Sequence, residues 1–268
     1  MKHTLAILVF SLILSYSSGQ GKVLQSQKFK SNILNKEVNY SVYLPEGFEQ
    51  SQQNYPVIYL LHGYGNDENT WISEAKISEQ MDKAIKERLI TPAVIVMPDG
   101  DTSWYVNVKA RNYNWEEMFI KEFIPGIEKQ YRINSTPARR AIWGNSMGGF
   151  AAVRYAMTYP ELFGISVGFS PAVYPDAQIG DRYQLSESPL HIIQNTSADQ
   201  LNKVRYYLDC GDRDFIYWGF AQLNMMMNAF GINHESYTHP GEHCWPYWKE
   251  GVENALKFIA KNFKTAHK

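Results

Sequence analysis

The chain has 268 residues, 44% of them hydrophobic and 20% charged, so it can bury a large core and does not have the composition of a disordered protein. Its 26 basic and 27 acidic residues give a formal net charge of −1, which argues against nucleic acid as a partner because counterion release requires a basic excess. Two cysteines without Cys-x-x-Cys spacing exclude a disulfide-rich scaffold and the usual zinc and redox motifs.

Residues 1–19 are typical of a secretory signal peptide. Lys2 and His3 precede an apolar run at 5–14, and small residues follow this run up to Gly19. A membrane span needs about 20 apolar residues, and neither this run nor any later one is that long. We therefore expect cleavage near Gly19, no membrane span, and a secreted or periplasmic protein. An uncleaved anchor or a buried helix is the alternative.

The mature chain, residues 20–268, is predicted to be a single α/β domain. Residues 38–44 alternate apolar and polar side chains, and a turn at Asn35 and Lys36 pairs them with 29–34 in an antiparallel hairpin. Continuous apolar runs then alternate with amphipathic segments, as in a parallel sheet covered on both faces. The predicted strands are 57–61, 93–97, 140–144, 164–169 and 204–210, and the predicted helices are 75–89, 115–131, 147–158 and 252–263.

Residues 171–203 interrupt this alternation. They join two predicted strands by far more than the usual connection of about 2–6 residues, and they contain three prolines. Two interpretations stay open: a functional lid, or an irregular surface loop with a short helix near 198–203.

Ser146 is the candidate nucleophile. It is the central residue of a Gly-x-Ser-x-Gly motif, Gly144 to Gly148, which lies between a strand-like run and a helix-forming run. A sharp strand-to-helix turn exposes the serine, and the free N–H groups of the helix N-terminus favour a developing oxyanion. A serine hydroxyl is a weak nucleophile, so it requires a histidine base and a carboxylate that orients this base.

His243 is the favoured base. In this fold class the acid and then the histidine follow the serine along the chain, and sites form in loops beyond strand ends. His243 lies in the loop after the predicted last strand, 235–238, whereas His239 directly follows that strand and is the reserve. His191 precedes the expected acid and His267 lies in the tail, so both are poor candidates.

Asp214 is the favoured acid. It lies in the turn that follows strand 204–210, whereas Asp209 lies within this strand. Asp212 shares the turn, and its alternative role is to form the turn or to cap a helix such as 215–230.

The chain contains a series of motifs in a characteristic order: LLHGYG (60–65), MPDG (97–100), SWYVN (103–107), GNSMGG (144–149), DCGDRD (209–214) and PGEHCWPYW (240–248). Over residues 25–263 this series resembles the esterase family of α/β-hydrolases, which includes S-formylglutathione hydrolases, antigen 85 mycolyltransferases and feruloyl esterase modules of xylanases. The resemblance implies an α/β-hydrolase fold, with a mostly parallel central sheet, an antiparallel N-terminal hairpin and helices on both faces.

The same resemblance implies the functional residues. The triad is Ser146, Asp214 and His243, and the backbone N–H groups of Tyr64 and Met147 form the oxyanion hole. His62 is expected to have a structural role. Neither a metal ion nor another cofactor is expected.

The resemblance and the expected export together predict a substrate class, namely feruloyl or acetyl esters of plant polysaccharides or related carbohydrate esters. Trp104, Tyr105, Trp218 and Trp245 lie near the expected strand-end loops, so they are candidates for substrate contact, with loop packing as the alternative. An exported acyltransferase of the mycolyltransferase type is the main alternative function. An esterase for small metabolite esters, such as siderophores or chlorogenate, and a binding protein without catalysis are also open.

The pairing of Cys210 and Cys244 is left open. In an oxidising compartment a disulfide between them would join the loops of the acid and the histidine, whereas the alternative is two buried thiols. The sequence predicts no oligomeric state.

Overall fold

The computed structural model describes residues 19–108, 113–133 and 136–263. The predicted signal peptide, apart from Gly19, and the tail histidine His267 lie outside the described residues. Within the described ranges, no helix is both long and apolar enough to cross a bilayer.

The described strands form one large sheet and one short hairpin. The strands of the large sheet are β1 (Lys22–Ser31), β2 (Lys36–Leu44), β3 (Val57–Leu61), β4 (Val94–Pro98), β7 (Arg140–Asn145), β8 (Ile165–Phe169), β9 (Arg205–Gly211) and β10 (His234–His239), and those of the hairpin are β5 (Asn107–Val108) and β6 (Tyr113–Asn114). The order in the sheet is β1-β2-β4-β3-β7-β8-β9-β10, and only the pairs made by β2 are antiparallel. The predicted fold class is confirmed, including its antiparallel N-terminal hairpin.

The helices largely follow the predicted pattern. They are α1 (Thr70–Ser73), α2 (Ile77–Lys86), α3 (Trp115–Met118), α4 (Ile124–Gln130), α5 (Met147–Thr158), α6 (Pro189–Asn195), α7 (Ala198–Leu201), α8 (Tyr217–Ala229) and α9 (Trp245–Asn262). A π-helical turn, Phe119–Phe123, joins α3 and α4 within the single helix predicted at 115–131. Helix α9 begins at Trp245, well before the predicted 252, so it starts immediately after the loop that carries His243.

Helices cover both faces of the sheet, which explains the continuous apolar strands. All five residues of β3 are buried. Val57, Tyr59 and Leu61 belong to one hydrophobic cluster, with residues of α3, α4, α5 and α8, whereas Ile58 and Leu60 belong to a second cluster, with residues of α2 and α9. The loops after the parallel strands therefore all emerge at one edge of the sheet, where α/β proteins form their sites.

A buried ion pair stabilises the start of β7, the strand that leads to the candidate nucleophile. Arg140 Nε lies 2.7 Å from Glu128 Oε1, and Nη2 lies 2.9 Å from Oε2, with both side chains at most 7% exposed. We expect Glu128→Ala to lower the free energy of unfolding by about 3–5 kcal/mol, because the guanidinium stays buried without this carboxylate. Urea denaturation measures the change.

The control for this prediction is Glu37→Ala, which removes an exposed pair with Lys28. The urea midpoint of this variant should equal that of the wild-type protein, because solvent screens the charges of an exposed pair. A Glu128→Ala variant as stable as the control would contradict the role given to the buried pair.

Candidate active site

Ser146 lies in the sharp turn between β7 and α5. Its φ of 54° and ψ of −118° form a strained conformation for a residue with a side chain. Hydrogen bonds maintain the turn: the Ser146 N–H donates to Phe169 O at 2.9 Å, and its carbonyl accepts from the amides of Phe150 (2.9 Å) and Ala172 (3.0 Å). The turn therefore holds the hydroxyl at the edge of the sheet where the strands end.

The glycines of the motif allow this turn to pack closely. A Cβ atom on Gly144 would lie 2.4 Å from the backbone of Gly148, and one on Gly148 would lie 2.4 Å from the carbonyl oxygen of Leu61. Backbone atoms cannot yield to such clashes. The spacing of the motif is thus explained by helix α5 packing directly on β7 and on the end of β3.

The structure brings Ser146, His243 and Asp214 into one hydrogen-bonded series. Ser146 Oγ lies 2.9 Å from His243 Nε2, and His243 Nδ1 lies 2.9 Å from Asp214 Oδ1 and 2.8 Å from Oδ2. The Asp214 side chain is fully buried and that of His243 is 14% exposed. Nδ1–H can therefore donate to the carboxylate while Nε2 accepts the serine proton, as a general base requires.

Neighbouring side chains fix the orientation of the histidine and the acid. The His243 ring packs against Phe215, with centroids 4.4 Å apart, and perpendicular to Trp248 at 4.9 Å. The indole N–H of Trp248 donates to Ser170 Oγ at 3.0 Å, and the N–H of Ile216 donates to Asp214 Oδ1 at 3.0 Å. Neither Phe215 nor Ile216 was a candidate from the sequence.

The other acid and histidine candidates occupy different positions. His239 is half exposed, with Nε2 3.8 Å from Asp209 Oδ2. Asp209 is buried and accepts a hydrogen bond from the Tyr247 hydroxyl, and burial raises the pKa of its carboxyl group. Asp212 accepts a hydrogen bond from the Gly241 N–H at 3.0 Å, so it joins the two loops at their backbones.

The amides proposed for the oxyanion hole lie beside Ser146. Met147 follows Ser146 directly and is the first residue of α5. Tyr64 follows Gly63, whose backbone is so close to the nucleophile that a Cβ atom added to Gly63 would lie 3.4 Å from Ser146 Cβ. In the described part of the chain, neither the Met147 nor the Tyr64 amide donates a hydrogen bond to a protein acceptor. Both N–H groups are therefore free to donate to an oxyanion.

Hydrogen bonds from His62 and Tyr105 stabilise the loop that carries Tyr64. His62 Nδ1–H donates to Gly63 O at 2.8 Å, and Nε2 accepts from the Gly100 N–H at 2.8 Å. The Tyr105 hydroxyl donates to His62 O at 3.0 Å, and its ring is fully buried against Trp115. Tyr105 was a substrate-binding candidate from the sequence, but its ring is not exposed to solvent in the structure.

Two cavities meet at Ser146. The first, which we call the Trp104 cavity, has a volume of about 760 Å³ and is lined by Trp104, Tyr174, Arg182, Phe215 and neighbouring residues. The second, the Trp245 cavity, has a volume of about 430 Å³ and is lined by His243, Cys244, Trp245, Asn66, Asn145 and neighbouring residues. Both walls include Ser146 and Tyr64. Trp218 lies outside both walls on α8, where it is 80% exposed.

The segment 171–203 contributes to the Trp104 cavity. Tyr174, Asp181 and Arg182 line it, and the Arg182 guanidinium lies over the Tyr174 ring at 4.4 Å. The segment contains helices α6 and α7, whereas the sequence predicted only one short helix near 198–203. Its unusual length was the only sequence signal for this contribution.

Several non-glycine residues near the site have positive φ. Asp101, Trp104 and Tyr105 follow β4 with φ of 52°, 55° and 57°, and Ser170 follows β8 with φ of 42°. Such conformations are costly and are frequent at functional sites. They turn Trp104 towards the cavity and Tyr105 into the core, which no sequence pattern indicated.

Both cysteines are free thiols in the structure. Cys210 is buried in β9 and Cys244 is half-buried beside His243. Burial raises the pKa of the Cys210 thiol well above its ordinary value, so this thiol stays protonated. The structure therefore has no disulfide between them, but only one of the two thiols is buried, whereas the alternative expected both to be.

Comparisons with known proteins identify sequence and structural relatives of this chain. The family model for putative esterases matches residues 31–259. The endo-1,4-beta-xylanase/feruloyl esterase of Xylanibacter ruminicola is 32% identical over 165 residues, which cover 59% of this chain and 23% of that protein. An esterase of Mycobacterium tuberculosis is 32% identical over 260 residues, which cover 81% of this chain and 55% of that protein.

The structural comparison covers more of the chain. A solved ferulic acid esterase superposes with a TM-score of 0.85 and 28% identity, over 91% of this chain and 99% of that one. The chain spans 55% of the mycobacterial relative and 23% of the Xylanibacter relative.

Proposed function

Because this chain belongs to the esterase family, we propose that it is a secreted serine carboxylic-ester hydrolase that acts through an acyl-enzyme. The observation that carries the proposal is the hydrogen-bonded series from Ser146 through His243 to the buried Asp214. Its export rests on the signal-peptide pattern of residues 1–19.

The geometry supports a two-step mechanism. Ser146 Oγ attacks the ester carbonyl carbon while His243 Nε2 takes the hydroxyl proton, and Asp214 stabilises the resulting imidazolium. The amides of Tyr64 and Met147 donate to the tetrahedral oxyanion. His243 then protonates the departing alcohol, which leaves the acyl group on Ser146. A water molecule, deprotonated by the same imidazole, releases the acid and restores the serine.

The proposed substrates are feruloyl or acetyl esters of plant polysaccharides or related carbohydrate esters. The Xylanibacter relative is named as a xylanase and feruloyl esterase, and the solved structure with a TM-score of 0.85 is named as a ferulic acid esterase. The Trp104 cavity has room for a planar hydroxycinnamoyl group, with Trp104 and Phe215 in its wall and the polar side chains of Asp101 and Arg182 for ring oxygens. We assign Tyr105 to the support of this wall because its ring is fully buried.

A panel of esters tests the proposal with the mature protein: p-nitrophenyl acetate, p-nitrophenyl butyrate, methyl ferulate and acetylated xylan. We expect hydrolysis of methyl ferulate or of acetylated xylan. Activity on the nitrophenyl esters alone would keep the esterase and reject the carbohydrate-ester substrate. Inertness on all four would reject the function. Acyl transfer to an added sugar, in excess of hydrolysis, would favour a transferase instead.

A further inference from the structure

Ser146 and His243 line the Trp245 cavity, but the mechanism assigns no part of the substrate to it. Resting on the proposed function, we propose that this cavity binds the alcohol portion of the ester, a sugar ring, and that Cys244 limits the size of the alcohol it admits. The Trp104 cavity then holds the acyl group.

Proton transfer decides which cavity receives the alcohol. The oxygen of the departing alcohol must come within about 2.6–3.2 Å of the imidazole that protonates it. Among the described residues, His243 belongs to the wall of the Trp245 cavity and not to that of the Trp104 cavity. An ester bound across Ser146 therefore places its alcohol in the Trp245 cavity and its acyl group in the other.

The wall of the Trp245 cavity has the chemistry that recognises a sugar. The half-buried Trp245 ring is held perpendicular to Trp71 and Trp248, with centroid distances of 5.1 and 5.2 Å, so its position is fixed before a ligand binds. Asn66 and Asn145 add carboxamides, and neither amide atom of the buried Asn145 has a partner among the described residues. Aromatic faces pack against sugar C–H groups, and buried amides require polar partners such as hydroxyls.

Cys244 is placed to set the volume of this cavity. It follows His243 directly, its backbone is extended with φ of −150° and ψ of 157°, and its half-buried side chain is part of the wall. A thiol is small, so a larger group at this position occupies space in a cavity of only about 430 Å³. Enlarging residue 244 should therefore exclude large alcohols before small ones.

The test compares methyl ferulate with feruloyl-arabinose, which share the acyl group and differ in the alcohol. We expect Cys244→Trp to lower the ratio of kcat/KM for the sugar ester to that for the methyl ester by about tenfold or more. A ratio cancels any loss that both substrates share through the neighbouring His243. Trp104→Ala is the matched variant of the acyl side: it should change the ratio of methyl ferulate to methyl acetate and leave the sugar-to-methyl ratio within about twofold.

Alkylation of the native enzyme provides a second measurement that does not depend on the folding of a variant. Iodoacetamide should modify the half-buried Cys244 and spare the buried Cys210, with mass spectrometry to locate the adduct. The modified enzyme should show a fall in the sugar-to-methyl ratio, smaller than that of Cys244→Trp because the added carbamidomethyl group is smaller than an indole.

The outcomes separate this inference from the proposed function. An unchanged ratio in both Cys244→Trp and the alkylated enzyme, or an equal change of that ratio in Trp104→Ala, would overturn the assignment of the cavities. A wild-type protein that hydrolyses neither ferulate ester would reject feruloyl esters as substrates, and the assignment of the two cavities with them, whereas its hydrolysis of acetylated xylan would still support the proposed function.

Discussion

Replacement of Ser146 by alanine is expected to lower kcat by a factor of about 10⁶ on every ester that the wild-type protein hydrolyses. Without Oγ no acyl-enzyme forms, and the remaining amides of Tyr64 and Met147 assist only a direct attack by water. Initial rates on the best substrate of the panel measure the loss. Covalent labelling by a fluorophosphonate probe should disappear in the same variant, because the probe phosphonylates the nucleophile.

Ser188→Ala is the control for this change. The Ser188 hydroxyl is buried and has no hydrogen-bond partner among the described residues, so its removal should leave both activity and labelling as in the wild type. A labelled or active Ser146→Ala protein would show that another residue is the nucleophile.

Replacement of Asp214 by asparagine is expected to lower kcat by about 10⁴-fold. The carboxamide keeps the shape of the side chain, but it cannot stabilise the imidazolium and it permits the wrong tautomer of His243. Asp214 accepts hydrogen bonds from both His243 Nδ1 and the Ile216 N–H, so the substitution alters both of these bonds. The volume of the side chain hardly changes. Steady-state rates measure the loss, and thermal unfolding verifies that the protein is folded.

The two other aspartates near this turn are matched controls. Asp212→Asn replaces a side chain that bonds to the Gly241 backbone, and Asp209→Asn replaces one that bonds to the Tyr247 hydroxyl. Neither should approach the loss expected for Asp214→Asn, because neither touches His243. A larger loss in Asp209→Asn would transfer the role of the acid to Asp209.

Some features of the fold were predictable from local sequence patterns and others were not. The run VIYLL at 57–61 indicated a strand buried on both faces, and the Gly-x-Ser-x-Gly spacing indicated a turn into a helix; strand β3 and helix α5 occupy those positions. Both are local patterns, since the periodicity of side chains and the need for glycine at a tight turn depend on neighbours along the chain. The π-helical turn Phe119–Phe123 left no comparable local signal, whereas Pro246 in the first turn of α9 is a local signal for a helix start at Trp245 that the prediction did not use.

By itself the sequence determined the α/β class, the order of the main strands and helices along the chain, and Ser146, Asp214 and His243 as the residues to examine. Only the tertiary structure decided which aromatic side chains reach a cavity. Trp104 and Tyr105 are adjacent and both have positive φ, yet Trp104 lines a cavity and Tyr105 is buried beneath it. A cavity wall is assembled by loops from distant parts of the chain, so its composition depends on long-range packing that no local pattern records.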